Sequence, residues 1–389
     1  MKRPTLAQRG HHLMESARLR LSRPDALLAL AVLGLATGVL AGLVIVGFRL
    51  AVEGVQASFL PGGLPESYER LPVWARFALP VAGGLIVGVI FQVFARGVYV
   101  LGIARVIERL AYHQGYLTVR GFVLQFIGAA VAIVSGHSVG REGPHVFLGA
   151  AAASLMGQRL ALPNNSIRTL VGCGTAAGIA ASFNTPLAGV IFALEVVMMD
   201  YTLASFIPVI LAAVSADTIS IMVFGSDAAF RVPALKLSTL AELPVVLILG
   251  VAMGGLAAAF VHLLKATTLH SQRLPFVWRA SLAGVLMGLA AMAVPDVMGI
   301  GYDTVNDILL GRVGAGLLVA LVIVKLLATS ASVGLGMPGG MIGPVLFMGA
   351  SAGSLVAVGA DAIAFGRGLD PGLYALLGMG AMMGASLQA

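Results

Sequence analysis

Long apolar runs, separated by short polar or Gly/Pro-rich breaks, make up most of the chain. A helix of about 20 apolar residues crosses a bilayer. Ala26 to Phe48, Phe77 to Ala95, Gly121 to Gly140, Leu170 to Leu194 and Leu243 to Leu264 are long enough, and each predicts a span. Tyr201 to Phe224, Ala280 to Pro295 and Val313 to Ser330 add further apolar segments. Two stretches are more polar: Ile103 to His113, carrying Arg105, Glu108 and Arg109, predicts a helix at an interface, and a short segment runs near Asp303 to Leu310. The run Leu170 to Leu194 contains Gly172, Gly174, Gly178 and then Asn184-Thr185-Pro186. Proline removes a helix hydrogen bond, so two short helices meeting near Asn184 to Pro186 are expected there.

Composition turns this pattern into a class. Of 389 residues, 59% are hydrophobic and 11% charged, whereas soluble proteins carry about 25% charged residues. The expected fold is an all-α polytopic membrane protein. Fifty glycines without a three-residue period fit close helix contacts and broken helices, which a membrane tolerates where protein or a water-filled cavity satisfies the backbone. The formal charge of +7 does not point to nucleic acid, because the basic residues sit at segment ends. Lys2, Arg3, Arg9, Arg18, Arg20 and Arg23 precede the first span, which predicts a cytoplasmic N-terminus and anionic lipid headgroups as their partner. The implied location is the inner (plasma) membrane. A single cysteine, Cys173, excludes an internal disulfide framework and reads as a packing residue. The first apolar run is too long and begins too late for a cleavable signal.

The chain also repeats itself. Arg141-Glu142-Gly143-Pro144-His145-Val146-Phe147-Leu148-Gly149-Ala150 runs parallel to Met341-Ile342-Gly343-Pro344-Val345-Leu346-Phe347-Met348-Gly349-Ala350. Gly378 onwards resembles Gly172 onwards once a two-residue slip is allowed. The domain plan is a cytoplasmic segment 1–24, a first repeat 25–224, a connection 225–242 and a second repeat 243–389. The second copy stops in mid-motif at Ala389, which predicts a chain shorter than the complete design. Repeats with Gly/Pro-interrupted segments at corresponding places point to a transporter-type fold with its site at the repeat interface.

The chemistry concentrates at Gly140-Arg141-Glu142-Gly143-Pro144. Charge at membrane depth is costly and marks a functional site by default. A helix N-terminus carries about half a positive charge and several unpaired N–H groups, so one aimed at the membrane centre attracts anions. Gly143 and Gly343 let the backbone approach an ion, and Pro144 and Pro344 stand where a missing N–H costs nothing. Glu142 is then a tethered anion competing for the same amides; alternatively it pairs with Arg141 or Arg159 and holds the fold.

At these residues the chain resembles the CLC family of chloride channels and proton-coupled chloride exchangers, over nearly its whole length. The motifs are Gly140-Arg141-Glu142-Gly143-Pro144, Phe183-Asn184-Thr185-Pro186-Leu187-Ala188-Gly189 with Phe192 and Glu195, and Pro338-Gly339-Gly340-Met341-Ile342-Gly343-Pro344. The resemblance implies a homodimer of all-α subunits with an inverted repeat and broken, re-entrant helices, each subunit with its own chloride path. It makes Glu142 the gate and assigns the anion to backbone amides of Arg141, Glu142, Gly143, Met341 and Ile342, with no metal and no cofactor. Two departures stand out. Leu101, in Val100-Leu101-Gly102-Ile103-Ala104, occupies the family's serine position, and Val196 stands where exchangers carry an inner proton-accepting glutamate, directly after Glu195. Valine carries no proton, so passive flux is expected ahead of exchange. The family's pore tyrosine would fall beyond Ala389.

Other residues offer competing chemistry. Gly136-His137-Ser138-Val139-Gly140 matches a nucleophile elbow, which would make Ser138 the serine of an intramembrane hydrolase, but that motif needs a strand, a sharp turn and a helix. Lys325 is expected to snorkel to an interface. Asp217 and Asp303 read as helix caps, Met337, Met341 and Met348 as packing, and His11-His12 as a solvated pair.

Overall fold

Two glycine ladders show how the apolar runs become helices packed backbone to backbone. The computed structural model describes residues 27–95, 101–227, 229–230, 232, 239–362 and 368–387. Along this chain lie α1 (Leu27–Phe59), α2 (Val73–Phe94), α3 (Ile103–Tyr112), α4 (Val119–Val134), α5 (Glu142–Arg159), α6 (Asn164–Phe183) and α7 (Pro186–Phe192). A π-helical turn, Ala193–Met198, follows α7. Then come α8 (Leu203–Phe224), α9 (Leu243–Ser271), α10 (Phe276–Ala293), α11 (Tyr302–Leu309), α12 (Ala315–Gly334), α13 (Ile342–Ala362) and α14 (Pro371–Leu387). Seven of the described helices, α1, α2, α8, α9, α10, α12 and α13, are long and apolar enough to cross a membrane. The basic lead-in with His11-His12, and Val100, lie outside the described residues.

The residues divide into two compact units. The first comprises Met1–Arg49, Leu101–Phe126 and Pro144–Asp227, the second Leu50–Val100, Ile127–Gly143 and Ala228–Ala389. In the first unit the Gly34, Gly38, Gly42 face of α1 lies on α8. A β-carbon on Gly34 would stand 2.5 Å from the Pro208 carbonyl oxygen, and one on Gly42 would stand 3.0 Å from the Ala216 Cα. In membranes such small-residue faces let helices gain packing where lipid offers no hydrophobic drive. Cys173, Ala176, Ala180, Val190, Leu194 and Ala212 fill the core between α6, α7 and α8, so Cys173 is a packing residue.

The break predicted near Asn184 to Pro186 is present. Asn184 ends α6 in the left-handed region at φ 53°, and Pro186 opens α7 at its first helical position, the places where asparagine and proline cost least. Asp217 departs from its expected capping role. It lies well inside α8, buried, and its Oδ1 has no hydrogen-bond partner among the described residues. The apolar run simply continues past it to Phe224.

In the second unit α2 and α10 cross through Gly84 and Gly284. A β-carbon on Gly284 would come within 2.9 Å of the Val81 Cα. Helices α9, α13 and α14 enclose a core of Val245, Leu249, Met253, Phe260, Met348, Tyr374 and Met382, which makes Met348 packing as expected.

The two units also settle the register of the last repeat. In the first, a β-carbon on Gly174 would lie 2.6 Å from the Gly149 carbonyl carbon; in the second, one on Gly378 would lie 3.1 Å from that of Gly349. Gly378 therefore plays the part of Gly174, not Gly172. The two-residue slip disappears, and Ser386 and Leu387 fall opposite Ser182 and Phe183 in the repeat.

Candidate functional site

The site is built in the second unit, where two chain breaks that are equivalent in the repeat bond to each other. Gly140 N–H donates to the Gly340 carbonyl at 2.7 Å and Gly340 N–H returns the bond to Gly140 at 2.6 Å. Antiparallel pairing of residues at the same place in both copies requires a local two-fold relation between them. Close approach demands glycine here. A β-carbon on Gly340 would stand 2.6 Å from the Gly143 amide nitrogen, and one on Gly143 would stand 2.7 Å from the Gly340 Cα.

From this bridge the chain enters α5 at Glu142 and α13 at Ile342. The Glu142 side chain is buried, and its carboxylate lies at the start of α13, where Gly343 N–H donates to Oε2 at 3.3 Å. Both carboxylate oxygens are 3.5 Å from the place a Gly343 β-carbon would occupy. A glycine is needed for a charged oxygen to come this near the backbone. Tyr302, the first residue of α11, donates its hydroxyl to Glu142 Oε1. A carboxylate there has the surroundings of a bound anion: unpaired N–H groups of a helix start and one hydroxyl.

Arg141 does not form the ion pair with Glu142 that was one of the two sequence readings. Its guanidinium bonds to Glu53 of α1 at 3.2 Å and lies 5.3 Å from the centre of the Tyr302 ring. Arg159 lies at the far end of α5. Helix geometry, with a rise of about 1.5 Å per residue, removes it from Glu142.

Further groups surround Tyr302. Glu66, in the loop between α1 and α2, accepts the Tyr302 backbone N–H. Burial pushes its carboxyl from the ordinary 4.5 up to about 7, against the lowering pull of the Arg141 and Lys325 charges and with Asp303 adding to the rise. Its backbone is in the left-handed region at φ 67°, a conformation a glutamate rarely adopts. Asp303 lies in the first turn of α11, where its carboxyl takes backbone bonds from Thr304 and from itself; the N-cap is Gly301, without a side-chain cap, so the expected capping role falls away.

Lys325 corrects the snorkelling expectation. It is wholly buried in α12, and its Nζ donates to the carbonyls of Val297 at 3.1 Å, Gly299 at 3.1 Å and Ile300 at 3.4 Å, beside the Phe347 ring. The segment between α10 and α11, one 3₁₀ turn (Pro295–Val297) and the irregular residues after it, presents these carbonyls together. A buried carbonyl needs a donor, and an ammonium group supplies three.

Ser138 lies between α4 and α5 and shares a hydrogen bond of 2.8 Å with Thr329 of α12. No strand precedes it among the described residues, so the nucleophile-elbow context is missing. His137 Nε2 lies 3.1 Å from the Pro80 carbonyl. In the first unit, Leu101 is half-buried just before α3. Val196 is half-buried and Glu195 exposed in the π-helical turn, a local form frequent at functional sites.

Tyr302, Glu66 and Glu53 had no sequence signal that set them apart. Nothing in the spacing ties Tyr302 to a residue 160 positions earlier.

The comparisons agree with this architecture. The profile of the family described as voltage gated chloride channel matches residues 83–389, and the chain belongs to this CLC family. It is 36% identical over 373 residues to a ClcB-like protein of Ralstonia nicotianae, covering 92% of this chain and 86% of that one. With the H(+)/Cl(-) exchange transporter ClcA of Vibrio cholerae it shares 30% identity over 367 residues, or 92% of this chain and 78% of that one. The crystal structure of a CLC-type fluoride/proton antiporter superposes with a TM-score of 0.80 at 24% identity, covering 95% of this chain and 89% of that one. The fold is thus the CLC inverted repeat with broken helices, in a multi-pass integral membrane protein. Its work is CLC-type anion transport, not enzymatic catalysis.

Proposed function

We propose that this chain exchanges a small anion, chloride in the first place, for protons, with Glu142 as the gate. The observation that carries this is the Glu142 carboxylate resting on the Gly343 amide and the Tyr302 hydroxyl. An anion that needs the same donors enters only when the carboxylate leaves. Protonation removes the charge that holds it there, so anion entry and proton binding are linked through one group. A relative 30% identical is named as an H(+)/Cl(-) exchange transporter, which supports the coupled reading.

Passive flux is the second reading, and Val196 favours it, since the inner end of the proton route lacks a carboxylate. Neighbouring Glu195 is exposed and would have to serve in its place. On either reading the backbone amides of Arg141, Glu142, Gly143, Met341 and Ile342 line the anion path, and Leu101 withholds the hydroxyl donor that a serine would offer. Repeats over 25–224 and 243–389, a homodimer in the inner membrane and a cytoplasmic N-terminus complete the proposal.

The test is reconstitution of the protein in liposomes under a chloride gradient, with chloride and proton movements recorded together. Uphill proton movement in fixed ratio to chloride is expected. Chloride flux without it would replace exchange with passive transport. A Glu142→Gln variant with the parent's flux and pH dependence would remove the gate assignment.

A further inference from the structure

We propose that Tyr302 is the latch of the gate: a positioning residue whose hydroxyl holds the Glu142 carboxylate in its seat and so sets how readily an anion displaces it. The inference rests on the reading of Glu142 as the gate. The hydroxyl donates to Oε1 while the Gly343 amide takes Oε2, so each oxygen of the carboxylate has its own donor. The gate's cationic neighbour is directed elsewhere, because Arg141 bonds to Glu53. Of these two donors, only the tyrosine belongs to a side chain.

A latch must itself be fixed, and Tyr302 is held from several sides. Its ring meets Phe230 edge-on at 5.0 Å and the Arg141 guanidinium at 5.3 Å. Its N–H donates to Glu66 and its carbonyl accepts from the Asn306 side chain at 2.9 Å. The strip leading into it is pinned by Lys325 through the carbonyls of Val297, Gly299 and Ile300. It then turns at Gly301, whose φ of 81° only glycine adopts readily. A β-carbon on Gly301 would also lie 2.8 Å from the Phe347 ring. Lys325 thereby gains a purpose that neither ion pairing nor snorkelling explains: it holds the hydroxyl of Tyr302 at the height of the gate.

Hydrogen bonds to charged groups are stronger than neutral ones, and loss of one corresponds to roughly tenfold or more in an equilibrium. Tyr302→Phe keeps the ring and its packing and removes only the donor. The experiment measures chloride flux in liposomes between pH 5 and 8 for four proteins: the parent, Tyr302→Phe, Glu142→Ala and the double variant. Tyr302→Phe is expected to raise flux near neutral pH about tenfold and to flatten its rise on acidification. In the Glu142→Ala background the same substitution should change nothing, since there is no carboxylate to hold. A Glu142→Ala protein unlike the parent, together with a Tyr302→Phe protein identical to it, overturns the latch and leaves the gate standing. An equal gain in both backgrounds means a general loosening of the protein and also overturns the latch. If Glu142→Ala matches the parent, the gate itself is wrong and the latch falls with it.

Discussion

Gly140 and Gly340 bond to each other in both directions, at 2.7 and 2.6 Å, although 200 residues separate them. Each stands two residues before the first residue of a helix, Glu142 for α5 and Ile342 for α13. The pair therefore joins the two broken segments at their equivalent points, and the carboxylate of one copy comes to lie on the amide of the other.

That junction has no room for a side chain. In Gly340→Ala the new methyl would stand 2.6 Å from the Gly143 nitrogen and 3.1 Å from the Gly140 carbonyl oxygen, and these are backbone atoms that cannot rotate away. Overpacking of this kind costs about 1–3 kcal/mol. A lower melting temperature in detergent and a large loss of anion flux are expected; a variant with the parent's melting curve would show that the bridge is dispensable.

Lys325→Met keeps the length of the side chain and removes its donors. The carbonyls of Val297, Gly299 and Ile300 would lose their bonds inside the protein, and an unsatisfied buried polar group costs about 1–3 kcal/mol. Destabilisation by at least 2–3 kcal/mol is expected, with flux altered in the direction of Tyr302→Phe in whatever protein folds. Chemical denaturation and liposome flux check the two parts separately. A flux change opposite in sign would disconnect Lys325 from Tyr302.

The raised pKa of Glu66 has a definite sign. Its carboxyl titrates at about 7 in the folded protein against an ordinary 4.5, so the native state holds the proton more tightly than the unfolded chain. Stability from this group is fully present below about pH 4.5, declines as pH rises to about 7, and is level above that. Replacing Glu66 with glutamine should flatten this decline in melting temperature between pH 5 and 7. The charges facing the carboxyl are Arg141, Lys325 and Asp303, and none of them is changed by the substitution. An unaltered slope would place the titration elsewhere.

Ser138→Ala separates transport from hydrolysis. The substitution removes a hydroxyl that, among the described residues, bonds only to Thr329 and leaves Glu142, Gly343 and Tyr302 untouched. Anion flux within about twofold of the parent is expected, because loss of one neutral hydrogen bond amounts to about 1 kcal/mol of stability and no donor at the gate. A collapse of flux with the fold intact would assign Ser138 to the path.

The class and most of the helices were legible in the chain. The run Leu243 to Leu264 became α9, and the interruption at Asn184 to Pro186 became the boundary between α6 and α7, because hydropathy and proline act locally. Misreadings arose where a residue's partner lies far away in sequence. Lys325 read as an interfacial side chain because its carbonyl partners belong to an irregular strip that hydropathy does not reveal. Asp217 read as a cap because a carboxylate is seldom left inside an apolar run, although the run Tyr201 to Phe224 itself extends past it to the end of α8. The π-helical turn at Ala193–Met198 carries no mark in composition.

By itself, then, the amino-acid order determined a polytopic helical protein made of two related halves, with a glutamate set between glycines at a break in the first of them. These features follow from bilayer thickness, from the cost of charge in hydrocarbon and from repetition, all of which are written along the chain. Only the tertiary structure decided what holds that glutamate. The Gly343 amide comes from the other copy and the Tyr302 hydroxyl from a helix 160 residues away. Donors that converge through packing leave no periodicity in the sequence, so Glu142 was legible and its latch was not.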